Sequence, residues 1–179
     1  QTMLIERSYI ETQRRILEAK EKGSIELSLV SMGLTRLPEE IFQLGQLQNL
    51  DLDSNNLTEI PVGISQLSQL RNLDLEHNKL IELPIEIGKL SHLQNLHLSG
   101  NELSKIPAEI GQLNHLQNLY LSNNNLKELP KEIGQLNNLK WFYLASNQLT
   151  VLPKEIGQLN RLVNLELNKK EALICVAWH

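Results

Sequence analysis

Aromatic residues, cysteine and long apolar runs are all scarce in this sequence. Only seven of the 179 residues are Phe, Trp or Tyr, so aliphatic side chains must form the core. The single cysteine, Cys175, excludes an internal disulfide framework and fits a reducing compartment slightly better than an oxidising one. No apolar run approaches the roughly 18 residues that cross a membrane, so the sequence predicts no membrane insertion. The sequence does not fix the location; the cysteine count favours a cytoplasmic one, and secretion is the alternative.

Charge is also low, but it is distributed unevenly along the chain. The formal net charge is −4, which gives the protein no broad electrostatic reason to bind nucleic acid. Residues 24–92 carry ten acids and four bases, whereas residues 93–179 carry seven acids and eight bases. A protein partner with a basic region would be attracted to the first half.

What the sequence does contain is a repeat with a fixed period of 23 residues. The same interval separates the prolines, which are Pro38, Pro61, Pro84, Pro107, Pro130 and Pro153. It also separates five asparagines, which are Asn55, Asn78, Asn101, Asn124 and Asn147. These markers divide one domain into an N-terminal segment 1–23, a variant first repeat 24–46, five full repeats 47–161 and an incomplete last repeat with a C-terminal cap 162–179.

The unit 116–138 illustrates the physics of one repeat. Leu119 and Leu121 alternate as in a short strand, and Asn124 can then pair the backbone groups that a turn leaves open. The apolar residues that follow recur at spacings of three and four, which predicts a helical or loosely helical return that starts near Pro130. One unit cannot bury its own apolar face, so the units must stack into a continuous core with one parallel strand each.

The full pattern, L-x-x-L-x-L-x-x-N-x-L-x-x-L-P-x-x-I-G-x-L-x-x, resembles the 23-residue leucine-rich repeat. Its LPxxIGxL half is similar to the subclass found in Ras-suppressor-like and Scribble-like scaffold proteins, bacterial Roco-type GTPases and bacterial repeat-only proteins. The resemblance covers residues 24 to about 168. It implies an α/β leucine-rich-repeat solenoid, with a curved parallel sheet on the concave side and short helical or irregular segments on the convex side.

The resemblance also implies a function, which is protein–protein interaction through the concave face in a signalling or scaffold role. Two alternatives stay open. One is a secreted or surface bacterial factor that binds a host protein or a glycan, and the other is the regulatory repeat fragment of a larger Roco-type GTPase.

Both ends of the repeat array differ from the consensus. Residues 2–22 read as a helix with Ile5, Tyr9, Ile16 and Lys20 on one stripe, followed by Gly23 as a C-terminal cap. We expect this helix to cap the first repeat; a partner-binding helix or a coiled-coil arm is the alternative.

At the other end, Lys170 replaces the repeated asparagine and an apolar tail follows. The tail contains Leu173, Ile174, Val176 and Trp178. Because apolar tails are unfavourable in water, we expect these residues to cover the last repeat. Alternatives are pairing with a second copy, which would give a weak homodimer rather than a monomer, or an exposed core.

No catalytic constellation is present in the sequence. The segment 88–91 lacks the glycine spacing of a phosphate-binding loop, and Cys175 has no base beside it. His92 and His115 share one repeat position and should lie side by side, but further ligands are missing nearby. The sequence therefore predicts no enzyme activity, no cofactor and no metal site.

The candidate binding residues are the variable ones on the strands, because side chains that flank the core leucines point to the concave surface. Two patches result. The carboxylate patch consists of Asp51, Asp53, Asp74 and Glu76, and the aromatic patch consists of His97, Tyr120, Trp141 and Tyr143. Phe142 is excluded, since it occupies a core leucine position. Aromatic side chains often anchor interfaces, although exposed strand positions also favour them through β-propensity alone, and exposed acids are common.

Overall fold

Each repeat contributes one three-residue strand to a single parallel sheet. The computed structural model describes residues 1–168, and its seven strands lie in chain order from β1 to β7. The strands are β1 (Glu26–Ser28), β2 (Asn49–Asp51), β3 (Asn72–Asp74), β4 (Asn95–His97), β5 (Asn118–Tyr120), β6 (Trp141–Tyr143) and β7 (Asn164–Glu166). Neighbouring strands pair in the register of the sequence repeat, so that Leu50 lies opposite Leu73. The predicted solenoid is confirmed.

The return segment of each unit contains a 3-10 helix of five residues. These helices are Glu39–Gln43, Val62–Gln66, Ile85–Lys89, Ala108–Gln112, Lys131–Gln135 and Lys154–Gln158. Each begins directly after one of the six prolines, whose extended backbone closes the preceding turn. Short helices suit this position, because the return must reach the next strand within about a dozen residues.

The buried asparagines bond one repeat to the next. The Nδ2 of Asn101 donates to the carbonyl oxygens of Leu75 at 2.9 Å and Leu98 at 3.0 Å. Its Oδ1 accepts the backbone N–H of Leu80 at 3.0 Å. In the first repeat Met32 stands at the asparagine position, and its backbone N–H donates to Asn55 of the following unit.

Glycine on the 3-10 helices lets successive units approach closely. A Cβ added to Gly111 would lie 2.6 Å from the backbone carbonyl oxygen of Glu132 in the next unit. Gly88 and Gly134 meet the next unit in the same way. The spacing of the convex side therefore depends on these positions lacking a side chain.

We expect Gly111→Ala to destabilise the protein by about 1–3 kcal/mol, since a methyl group there forces a backbone shift. The control is Gly45→Ala, because a Cβ at Gly45 would lie at ordinary contact distance, 3.9 Å, from the backbone carbonyl oxygen of Gln66. Thermal melts of the two variants check the expectation. Equal melting temperatures would show that the units can separate without cost.

The N-terminal segment forms helix α1 (Thr2–Lys22), which ends at Gly23 in the left-handed conformation. Its buried face consists of Thr12, Ile16 and Ala19. The predicted stripe is therefore only partly correct, because Ile5 is 61% exposed while Ile16 is 3% exposed. The helix contacts β1 and the first 3-10 helix, and the hydroxyl of Ser8 in its first half donates to the backbone carbonyl oxygen of Met32. Within residues 1–168, no helix is both long and apolar enough to cross a membrane.

The predictions for Lys170 and the apolar tail, including a homodimer formed through that end, fall outside the described residues. The last described strand is β7, where Leu165 and Leu167 are partly buried against the core.

Candidate functional site on the concave sheet surface

The strands place the predicted binding residues on one face of the sheet. In β2 the buried Leu50 lies between Asn49 and Asp51, whose side chains are half-buried on the opposite face. Strand pairing aligns the last residues of successive strands into one column, called the central column, which consists of Asp51, Asp74, His97, Tyr120, Tyr143 and Glu166. Period-two alternation and parallel register together create this column.

The aromatic patch forms a continuous run of rings across β4, β5 and β6. His97 stacks on Tyr120 with ring centroids 4.5 Å apart and planes at 13°. Tyr120 meets Tyr143 edge-on at 4.8 Å, and Tyr143 meets Trp141 edge-on at 6.5 Å. All four predicted members are therefore in one cluster.

The patch combines apolar area with access to solvent. Trp141 is 37% exposed, whereas Phe142 between the two concave residues of β6 is fully buried. Burial raises the pKa of the Tyr120 hydroxyl above its ordinary value.

The carboxylate patch is anchored by backbone hydrogen bonds. Asp51 Oδ1 accepts the N–H of Asp53 at 3.1 Å, and Asp74 Oδ1 accepts the N–H of Glu76 at 2.9 Å. Burial raises the pKa of Asp74 in spite of this hydrogen bond. The central acids are thus fixed at the sheet surface by the chain itself.

His97 connects the two patches, which the sequence predicts as separate groups. Its Nδ1 lies 3.5 Å from Glu76 Oε1, and its ring stacks on Tyr120. The acids and the aromatic rings therefore form one surface that runs from β2 to β6.

His77 belongs to this surface and was missed by sequence reasoning. Its Nδ1 lies 3.0 Å from Asp53 Oδ1, and this hydrogen bond raises the pKa of the imidazole. Position 77 lies just beyond the three strand columns and has a left-handed backbone. The one signal in the sequence is Gly100, a full repeat later, since a Cβ there would lie 2.9 Å from the His77 ring.

A column of asparagines, formed by the first residues of β2 to β5, runs beside the central column. The side-chain amide of each asparagine donates to the previous member, from Asn118 through Asn95 and Asn72 to Asn49. Trp141 replaces asparagine in the next strand, and the buried Oδ1 of Asn118 has no hydrogen-bond partner within the described residues. The amide column therefore runs beside His97 and Tyr120 and ends at Asn118, where Trp141 of the aromatic patch follows in β6.

Away from the concave surface, a cavity of about 600 Å³ lies between α1 and the first repeat. Its lining includes Ile5, Tyr9, Ile10 and Leu34. A partner-binding role for α1 was the alternative to a capping role, and this groove is where a partner could contact the helix.

Two family models match the chain. One, described as "Leucine rich repeat", matches residues 26–80. The other, described as "Leucine-rich repeat region", matches residues 63–124 and 108–175. A search of curated protein sequences gives no significant match.

Several solved structures are similar to this one. The Leptospira interrogans LRR protein LIC12759 is 38% identical with a TM-score of 0.75, over 84% of this chain and 45% of that protein. The plant peptide hormone receptor RGFR1, solved in complex with RGF2, is 41% identical with a TM-score of 0.74, over 81% and 24%. The ectodomain of the Arabidopsis thaliana receptor kinase GASSHO1/SCHENGEN3, in complex with CASPARIAN STRIP INTEGRITY FACTOR 2, is 37% identical with a TM-score of 0.64, over 71% and 16%. The chain thus spans less than half the length of each of these structures.

Proposed function

This chain belongs to the leucine-rich repeat family, and from that membership we propose that it is a protein-binding module whose partner lies along the concave face of the sheet. The observation that carries the proposal is the continuous run of rings formed by His97, Tyr120, Tyr143 and Trp141. Rings of this kind supply large contact area with polar tips and lose little conformational entropy on binding.

The rings have no packing role that would explain their position. The core positions of the same units are filled by Leu119, Leu121, Phe142 and Leu144, all of them buried. Exposed aromatic area is unfavourable in water, so an anchoring role for a partner accounts for its presence.

The comparisons support a protein or peptide as the partner. RGFR1 and the GASSHO1/SCHENGEN3 ectodomain, which share this repeat fold, were each solved in complex with the factor named above. We extend the proposal to a signalling or scaffold role, in which this chain positions a partner and performs no reaction itself.

Affinity capture with two baits tests the proposal. The wild-type chain and the Trp141→Ala/Tyr143→Ala variant are immobilised separately, and the proteins that each retains from a lysate of the source cells are compared. A partner retained by the wild-type chain and lost from the variant supports concave binding. Identical sets of retained proteins would move the site away from the aromatic patch.

The carboxylate patch is expected to set the rate of association with a partner that has a basic region. Replacing Asp51, Asp53 and Asp74 by Asn and Glu76 by Gln should slow association and flatten its salt dependence, while dissociation changes little. The reason is that charges at an interface rim act mainly through long-range attraction. Stopped-flow association at several salt concentrations measures both quantities.

The matched control removes four exposed acids that lie outside the strands, through Glu40→Gln, Glu59→Gln, Glu102→Gln and Glu128→Gln. It changes the net charge equally but leaves the concave surface intact. If both quadruple variants slow association alike, overall charge rather than the carboxylate patch governs the rate.

A further inference from the structure

Side chains from two successive repeats bring mixed nitrogen and oxygen ligands together at the edge of the concave sheet. Asp53, Glu76 and His77 can each offer one ligand atom, and these three atoms lie within 4.8 Å of one another. From this convergence we propose that the three residues bind a divalent transition-metal cation of the zinc class.

The ligand chemistry selects the class of cation. Imidazole nitrogen combined with carboxylate oxygen suits Zn²⁺ and its neighbours, whereas Ca²⁺ and Mg²⁺ prefer sites made of oxygen alone. The imidazole therefore distinguishes this site from an ordinary cluster of surface acids. His97 supplies a second imidazole at the same carboxylate, since its Nδ1 lies 3.5 Å from Glu76 Oε1.

The spacing is close to what a bound cation needs. Two ligands held at about 2.1 Å in tetrahedral geometry lie about 3.4 Å apart. His77 Nδ1 and Asp53 Oδ1 are 3.0 Å apart and the Glu76 oxygen lies within 4.8 Å of both, so side-chain rotations can bring the three ligand atoms to that spacing. The His77 side chain is 64% exposed, which leaves it room to make them.

The turn that follows β3 leaves space for the His77 ring only because residue 100 is a glycine. A Cβ at Gly100 would lie 2.9 Å from Cδ2 of His77, so a side chain one repeat later would displace the ring. The other residues at this repeat position in the described units are Ser31, Ser54, Gly100 itself, Asn123 and Ser146. Glycine thus follows the one repeat in which this position carries an imidazole.

Hydrogen bonds to neighbouring residues orient the carboxylate of Asp53. Its Oδ1 accepts a hydrogen bond from Ser54 Oγ at 3.1 Å, and its backbone N–H donates to Asp51. Outer contacts of this kind hold metal ligands in their binding geometry. The sequence alone predicted no metal site, because position 77 lies outside the strand columns.

Isothermal titration of ZnCl₂ into the full chain tests the proposal. We expect binding of one equivalent, with an affinity that falls about tenfold or more in His77→Ala and in Asp53→Asn. Binding should also raise the melting temperature of the wild-type chain, because the cation binds only the folded arrangement. No binding, or equal binding by the wild-type chain and both variants, would overturn the site.

Three controls identify where the cation binds. The double variant His92→Ala/His115→Ala removes the other imidazole pair, whose rings stack 6.4 Å apart, and should bind zinc normally. Cys175→Ser should also bind normally, since no thiol belongs to the proposed site. Loss of binding in either control, or binding of CaCl₂ that survives His77→Ala, would contradict the assignment.

Discussion

The variant Trp141→Ala/Tyr143→Ala should lose partner binding while its melting temperature changes little. Truncating one aromatic residue at the centre of an interface costs about 2 kcal/mol or more, which corresponds to roughly thirtyfold in Kd. Trp141 and Tyr143 meet edge-on and belong to one ring cluster, so removing both takes away half of it. Calorimetry with the partner recovered by capture measures the affinity, and a thermal melt measures the stability.

The matched control is Lys131→Ala/Lys154→Ala, since both lysines are exposed on 3-10 helices of the return segments. This variant should keep wild-type affinity and stability. Full affinity in the aromatic variant would place the partner elsewhere, on the convex side, at α1 or at the acidic strands.

The largest effect on stability is expected for Asn101→Ala. The change removes three hydrogen bonds at 2.9–3.0 Å and leaves the N–H of Leu80 and the carbonyl groups of Leu75 and Leu98 without this partner. Only the Leu80 N–H is left unpaired, since the carbonyl groups of Leu75 and Leu98 each keep a second amide donor, from Asn78 and Asn124. One unpaired buried backbone group costs about 1–3 kcal/mol, and each of the two lost carbonyl hydrogen bonds adds about 0.5–1.5 kcal/mol. Chemical denaturation gives the free energy of unfolding.

Asn125→Ala is the control for this prediction. Asn125 is exposed and lies one residue after a buried ladder position, so its replacement should cost under about 0.5 kcal/mol. If the two variants unfolded at the same denaturant concentration, the buried asparagines would not be what joins the repeats.

Much of the candidate site could be predicted from the sequence, because strand alternation assigns residues to the columns of the concave face. Alternation around Leu119 and Phe142 predicts from the sequence alone that Tyr120, Trp141 and Tyr143 lie on the concave face, and the structure brings their rings together. The same reasoning found the four acids. Whether these residues bind a partner stays a prediction.

The misses have local causes. His77 lies at a turn with φ of 53°, and strand alternation does not say where a side chain on such a backbone points. In α1 the apolar stripe contains Ile5 and Ile16, but Ile5 stays exposed, whereas the hydroxyl of Ser8 already donates to the backbone carbonyl oxygen of Met32 in the first repeat. The periodicity of the sequence predicts the apolar face of the helix, but the way in which the helix packs on the first repeat determines which part of that face is buried.

The sequence by itself determined the solenoid, the parallel register and the membership of the two patches. It could do so because every unit meets its neighbour through the same positions, so that a local pattern repeated at a fixed interval specifies the long-range contacts as well. Tertiary structure alone decided the contacts that cross between columns, such as Glu76 with His97 and Asp53 with His77. Those contacts depend on side-chain rotamers and turn geometry, which vary from unit to unit and are not specified by the repeat pattern.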